Sequence, residues 1–184
     1  MKAQEHIVYG GAASAVVAMI WGPWNAFVFW TASVLIDVDH YLDHVCRTGG
    51  ADWNVASIFK LDNYFRRKLD TGEMQKRALC FSLFHTVEAF SAVYASAVYS
   101  GQSLFMFVFL GMVFHLFLDF LWLTRYNALF MRAFSVVEYW IRRSVLKRRG
   151  IDPDGFYIDG CRELGIPVRS FGSGQVESVT QPDE

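Results

Sequence analysis

The chain reads as an all-α protein: a membrane-embedded four-helix core of two hairpins, with additional interfacial amphipathic helices. Three observations predict this. Hydrophobic residues make up 53% of the 184 positions and aromatic residues 17%, with a positive mean hydropathy. Four long apolar segments occur, at 7–21, 24–42, 79–99 and 104–123. All 17 Lys and Arg fall in three places: Lys2, the stretch 47–77, and from Arg125 onwards.

The first segment, 7–21, is rich in Ala, Val and Gly, and is short for a span. A Gly22-Pro23 break separates it from 24–42. Segments 79–99 and 104–123 form a second pair around Ser100-Gly101-Gln102-Ser103, and each is long enough to cross a bilayer, which takes ~20 residues. Neither hairpin tip carries charge, so every basic region lies on one face. The positive-inside rule makes that face cytoplasmic, with both termini inside. The expected location is the inner (cytoplasmic) membrane, with multiple passes. Glu5 and His6 interrupt the N-terminal apolar run, which makes it a poor signal peptide.

Two further segments mix apolar and basic residues at helical spacing. One runs from Ser57 to Lys68. In the other, Phe130, Phe134, Val137, Ile141 and Val145 share a face, and Arg132, Arg142, Arg143, Lys147, Arg148 and Arg149 supply charge. Such a helix suits an inner-leaflet surface, or packs on the domain with a solvated basic face. From Gly150 the composition turns polar and periodicity fades. Asp152, Asp154 and Glu163 mimic a calcium loop, but Phe156 and Tyr157 stand where a ligand and the glycine turn are needed. Asp152-Pro153-Asp154-Gly155 is therefore a turn. The expected organisation is a metal-binding helical core over 1–125, including a cytoplasmic amphipathic loop at 45–78. A basic amphipathic helix follows over 126–149, then a polar tail over 150–184.

Net charge is −1, so charge names no partner, and one basic helix without a recognition motif gives no nucleic-acid reading. Cys46, Cys80 and Cys161 lie far apart with no CxxC pair, and read as reduced and structural.

The chemistry lies in the acid–histidine groups. All five histidines have an acidic residue within four positions. Asp37, His40 and His44 follow i, i+3, i+7 near the end of the second segment, His85 and Glu88 follow i, i+3, and His115 and Asp119 follow i, i+4. Helix rise places His115 roughly 12 Å and Asp119 about 6 Å from Leu123, and His85 roughly 12 Å from Arg77. The groups thus converge at the cytoplasmic half. An isolated Asp at the centre of a span costs on the order of 3 kcal/mol, and no Lys or Arg lies in the spans to offset it. A divalent metal suits mixed imidazole and carboxylate donors. The candidate ligands are His6, Asp37, His40, His85, His115 and Asp119. Asp39 and Glu88 are candidates for proton transfer or support of the ligands, and Thr86 for a hydrogen bond to ligand or substrate. His44 and Asp43 read as peripheral. A buried hydrogen-bonded His–Asp pair is the plainer reading of any single group.

A histidine near the start, then Asp37-Val38-Asp39-His40, then His85-Thr86, then His115 with Asp119, resembles the YdjM-type family. That family is described as LexA-binding, inner-membrane-associated metal-dependent hydrolases. The resemblance covers roughly residues 1–125. The ligand style is more distantly similar to zinc-dependent phospholipase C, an all-helical phosphodiesterase. Two departures stand out: Ile36 replaces a Pro common before the first Asp, and 78–84 replaces a basic-glycine stretch.

The expected function is a membrane-bound metal-dependent hydrolase acting on a phosphate ester such as a phospholipid. It would use one or two divalent ions, zinc first, with manganese or iron as alternatives. Arg66-Arg67-Lys68 with Arg77 would draw an anionic headgroup. The expected partners are membrane lipid and the phosphate-ester substrate. The alternatives are a metal or proton transporter, disfavoured by the sparse polar groups of the outer half, and a non-catalytic scaffold with a structural metal.

Overall fold

The computed structural model describes residues 3–71, 79–169 and 176–177. These are overwhelmingly helical. The helices are α1 (Ala3–Trp21), α2 (Pro23–Leu35), α3 (Val38–Arg47), α4 (Val55–Asp70), α5 (Val87–Ser100), α6 (Ser103–Arg125), α7 (Val136–Arg148) and α8 (Gly155–Glu163). One antiparallel pair of two-residue strands, β1 (Val168–Arg169) and β2 (Val176–Glu177), completes them.

The chain divides into two compact units. The first comprises Met1–Asp39, Ser82–Leu129 and Phe134–Val136; the second comprises His40–Phe81, Phe130–Ala133 and Val137–Glu184.

In the first unit, α1 and α2 form a hairpin. Gly22 takes a left-handed φ of 88°, and Pro23 starts α2, where its missing N–H costs nothing. A second hairpin turns at Gly101, a left-handed C-cap at φ 64°, from α5 into α6. Small residues set the spacing. A Cβ on Gly111 would lie 2.4 Å from the Phe29 carbonyl oxygen, and one on Gly10 would lie 2.6 Å from Ser33 Oγ. Only glycine lets α6 and α1 approach α2 this closely. Val28, Phe29 and Phe107 pack at this junction, with Ala13, Val17, Val108 and Phe114 around them.

Within the described residues, one helix, α6, is long and apolar enough to cross a membrane. Its 23 residues rise about 34 Å, against a hydrocarbon core of ~30 Å. Helix α1 covers the first expected segment and begins before it, whereas the segments 24–42 and 79–99 give shorter helices than the hydropathy pattern implies. Segment 24–42 breaks at Ile36–Asp37, between α2 and α3. Segment 79–99 is extended at Cys80 and Ser82, makes one 3-10 turn at Leu83–His85, and becomes α-helical only at Val87. Thr86 starts that helix, its Oγ1 accepting from the Ala89 N–H at 3.3 Å. An apolar run of this kind has no period that separates strand from helix, and cross-chain backbone pairing decides it. Cys80 N–H donates to the Met131 carbonyl at 2.7 Å, and Ala133 N–H to the Cys80 carbonyl at 3.1 Å.

That pairing also explains why the helix expected from Phe130 starts at Val136. Residues 129–131 make a 3-10 turn, and Phe134 gives its carbonyl to the Val87 N–H. Glu88 Oε1 then accepts from Ser135 Oγ at 2.5 Å and from the Val136 N–H at 3.1 Å, capping the start of α7.

The second unit has a conventional apolar core. Leu61, Cys161, Ile166 and Val168 are buried in it, against Phe65, Tyr157, Ile158 and Leu164. α4 covers the expected segment 57–68 and is capped by Asn54, whose Oδ1 accepts from the Ala56 N–H. Asp154 N–H donates to Asp152 Oδ1 at 3.0 Å, so Asp152–Gly155 is a turn, and it leads into α8. The polar composition from Gly150 thus includes an ordered helix, tied down by Tyr64 donating to Glu163 at 2.8 Å.

Polar ties complete this unit. His44 is buried, with Nδ1 2.5 Å from the Tyr157 hydroxyl and Nε2 3.1 Å from Asp52 Oδ2. Burial pushes the Asp52 pKa upwards, but hydrogen bonds from Ser57, the Asn54 N–H and His44 outweigh it and hold the carboxyl below its ordinary 3.8. Burial raises the Tyr157 hydroxyl well above the usual tyrosine value. Burial opposes the Arg47 charge, yet Asp43 and Asp154 hold it firmly protonated. All three cysteines are free thiols; burial pushes Cys161 up to about 12 and raises Cys80. Neither buried thiol is a nucleophile at neutral pH.

Candidate metal centre

The first unit gathers four donors. Asp37, His85, His115 and Asp119 each offer one ligand atom, and these atoms lie within 4.8 Å of one another. Asp37 sits in the break after α2, His85 in the 3-10 turn before α5, and His115 and Asp119 one turn apart on α6. The helix breaks therefore serve the site, turning backbone corners where the donors are needed. His85 Nε2 lies 3.1 Å from His115 Nε2, 3.6 Å from Asp37 Oδ1 and 3.9 Å from Asp119 Oδ2. His115 Nε2 lies 3.3 Å from Asp37 Oδ1 and 3.6 Å from Asp119 Oδ2.

The other ring nitrogens fix what these Nε2 atoms are. His115 Nδ1 is 2.7 Å from the Ser33 carbonyl oxygen, which only accepts, so Nδ1 carries the proton. His85 Nδ1 is 3.1 Å from Asp39 Oδ2, and the same carboxylate oxygen accepts from the Phe84 N–H at 2.8 Å. His85 Nδ1 is thus the donor as well. In the neutral imidazoles both Nε2 atoms then present lone pairs to one another, with two carboxylates beside them. Four electron-rich atoms collected in a buried place repel unless a cation lies between them. No Lys or Arg occurs between residues 3 and 46 or between 78 and 124. The separations suit a divalent ion: for bonds of about 2.0 Å, tetrahedral donors stand about 3.3 Å apart. The buried Asp and His side chains can hold a metal ion.

The surrounding residues orient the donors. His6 is buried and stacks on the His115 ring, centroids 3.8 Å apart. Its Nε2 lies 3.2 Å from Asp119 Oδ1, the oxygen turned away from the two other imidazoles. His6 is therefore an orienting neighbour of Asp119 and lies outside the quartet. Two buried polar atoms here lack hydrogen-bond partners among the described residues, His6 Nδ1 and Asp39 Oδ1. Asp39 itself orients His85, the carboxylate–histidine support familiar from metal sites. Thr86 is fully buried and spent on structure: its hydroxyl donates to the Leu83 carbonyl at 2.8 Å and caps α5.

Asp39, His40 and His85 form a second group whose ligand atoms lie within 4.8 Å of one another, and the other candidates fall elsewhere. Glu88 is exposed and engaged by Ser135 and Val136, so its carboxylate serves as a cap. His40, half-buried, opens the second unit directly after Asp39. His44 is bound to Tyr157 and Asp52, and Asp43 to Arg47 at 2.8 Å. Arg66 pairs with Asp62 on α4, and Arg77 lies outside the described residues.

No family model, curated protein or solved structure matches this chain.

Two contributors had no obvious sequence signature. The Ser33 carbonyl is a main-chain group in an apolar helix. Gly111 permits the approach that brings it to His115, and its only trace in the sequence is a lone glycine one turn before a buried histidine.

Proposed function

We propose that the first unit is a membrane-embedded, metal-dependent hydrolase acting on a phosphate ester such as a phospholipid. The observation that carries this is the pair of Nε2 atoms facing each other beside two carboxylates, one of which opens outward. His85, His115 and Asp119 are buried, whereas the Asp37 side chain is 25% exposed. A substrate reaches the quartet from the Asp37 side. A divalent ion bound there supplies Lewis acidity to a phosphoryl oxygen and lowers the pKa of water. The chain's own contribution is orientation: Asp39 and the Ser33 carbonyl fix both imidazole tautomers, and His6 turns Asp119. Asp37 is the one carboxylate exposed enough to take up a proton from an attacking water. The similarity of the His, Asp-x-Asp-His, His-Thr and His-x-x-x-Asp series to the YdjM-type family points the same way.

The membrane half of the proposal rests on where the apolar surface lies. Only 28% of the most apolar window of α6 is buried. Ile7, Val16, Met19, Ile20, Phe27, Val98 and Phe117 are all large, apolar and exposed on the helices of this unit. An aqueous protein seldom leaves so much uncovered, while lipid suits it. Non-helical backbone at membrane depth is tolerated where it lines a buried polar site, as at Ile36–Asp37 and Leu83–His85. We read the protein as a multi-pass protein of the inner membrane with both ends cytoplasmic.

The deciding experiment is metal analysis of detergent-solubilised protein, followed by phosphodiester and phospholipid substrate screens. Stoichiometric zinc, manganese or iron with metal-dependent turnover is expected. A protein that can be loaded with none of the three sinks the site. Reporter fusions at both ends should read cytoplasmic.

One observation favours a second reading. Four protein donors at near-tetrahedral spacing are what a closed structural site uses. In that case metal removal lowers the melting temperature and no substrate is turned over. Under the hydrolase reading Asp37→Asn abolishes turnover more than it lowers metal content.

A further inference from the structure

Helix α7 exposes its apolar side. Val137, Trp140, Ile141, Ser144, Val145 and Arg148 follow one another at i, i+3, i+4, i+7, i+8 and i+11, and all six are exposed. Trp140 is 60% exposed, and Phe130, just before the helix, is 84% exposed. None of the helix's residues is buried. This exposed stripe is apolar at Val137, Trp140, Ile141 and Val145, is interrupted by Ser144 and ends at Arg148.

Its flanks are basic. Between 136 and 149 stand Arg142, Arg143, Lys147, Arg148 and Arg149 against Glu138 alone. Arg142 is held by Glu138 at 3.0 Å and by the Phe130 and Arg132 carbonyls, and Arg143 by Asp154 and Tyr139. These contacts fix the helix on its unit. They leave Lys147, Arg148 and Arg149 exposed at one end of the stripe, with no described carboxylate paired to them.

We propose that α7 docks on an anionic bilayer surface, with Trp140, Ile141 and Val145 entering the headgroup boundary and Lys147, Arg148 and Arg149 meeting lipid phosphates. Charge complementarity selects this occupant. An apolar face closed by three cations fits a surface that is apolar below and negative above. A second copy laid parallel would set the three cations against its own three. A nucleic acid would meet a tryptophan and three aliphatic side chains where it needs cations. Trp at such a boundary is placed as membrane interfaces place it. The inference does not use the metal site, and holds for a spanning or a peripheral protein.

The test uses the full chain with Cys46→Ser and Ser144→Cys. Cys46 is the exposed native thiol, Cys161 is buried, and the Cys46→Ser chain without Ser144→Cys gives the labelling background from half-buried Cys80. An environment-sensitive fluorophore at position 144 then reports on the stripe in lipid nanodiscs. Adding phosphatidylglycerol to phosphatidylcholine discs should shift its emission to the blue and reduce acrylamide quenching at least about threefold. Replacing Lys147, Arg148 and Arg149 by Gln should remove the dependence on phosphatidylglycerol, and Trp140→Glu with Ile141→Glu should abolish protection in both lipids. Equal quenching in both lipids overturns the proposal, as does protection that appears only with two copies per disc. If the chain proves soluble without detergent, the spanning-helix reading falls. The same labelled protein mixed with vesicles then decides the docking by the same two signs.

Discussion

In the first unit His6, His85, Thr86, His115 and Asp119 are all buried, while Met19, Ile20 and Phe117 face outward. In the second, Leu61, Cys161 and Ile166 take the interior, and the polar groups among them, His44 and Asp52, hold each other. Both units bury histidines beside carboxylates, yet the two arrangements differ in kind. His44 has a partner on each nitrogen, Tyr157 and Asp52, and the set is electrically complete. His85 and His115 each have Nδ1 bonded, while their Nε2 atoms face each other and share the same two carboxylates, Asp37 and Asp119. A buried acid–histidine pair is therefore no sign of a metal by itself. The difference lies in whether each ring nitrogen has a partner of its own or several donors crowd one point.

The strongest way to break this comparison is to remove donors from one unit only. His115→Ala with Asp119→Ala should lower metal affinity by on the order of a hundredfold or more, since even supporting residues cost 10–100-fold. Metal measured by mass spectrometry should vanish, while hydrogen exchange across α8 stays unchanged. Undiminished metal would contradict the assignment.

Two glycines sharpen the contrast at the level of packing. Gly111→Ala drives a methyl into the Phe29 carbonyl, and overpacking of this kind costs about 1–3 kcal/mol. Because α6 carries His115 past Ser33, metal affinity should fall with stability. Gly160→Ala meets the Tyr64 ring at 2.9 Å and should destabilise by a similar amount with no effect on metal. Equal metal loss in both variants would mean that stability alone controls the site.

A smaller effect is expected from Asp39→Asn. The amide still accepts from the Phe84 N–H but withdraws the charge that holds the His85 proton. Metal affinity should drop about 10-fold to 100-fold, read by competition with a chelator. The smallest expected change lies in the second unit. Tyr157→Phe removes one hydrogen bond and should cost about 1 kcal/mol by denaturant melting. The same unit has a predictable acid limit. The folded Asp52 carboxyl sits below its unfolded value of 3.8, so its contribution is complete above that pH and is lost as pH falls through the lower folded value. Asp52→Asn should flatten that acid limb of the melting curve.

The helical class was legible from hydropathy and charge placement, as was the gathering of Asp37, His85, His115 and Asp119, because ionisable groups in apolar segments must find one another. The helix ends were not. Thr86 is a helix start, and Cys80 is held extended by the backbone of Met131 and Ala133, about fifty residues away in the chain. Glu88 follows His85 at helical spacing, but the helix begins between them, so the two never share a face. His6 reads as a ligand, and its Nε2 meets Asp119 Oδ1, whereas His85 and His115 approach Oδ2 of the same carboxylate.

The bond from His115 Nδ1 to the Ser33 carbonyl has a consequence for anyone mapping this centre by mutation. The acceptor belongs to the peptide chain, so Ser33→Ala would leave it in place, and a scan of side chains would pass over one of the two determinants of which imidazole nitrogen meets the ion. Only a change that moves the main chain of α2, such as proline substitution nearby or an added bulk on the facing helix, would expose that dependence.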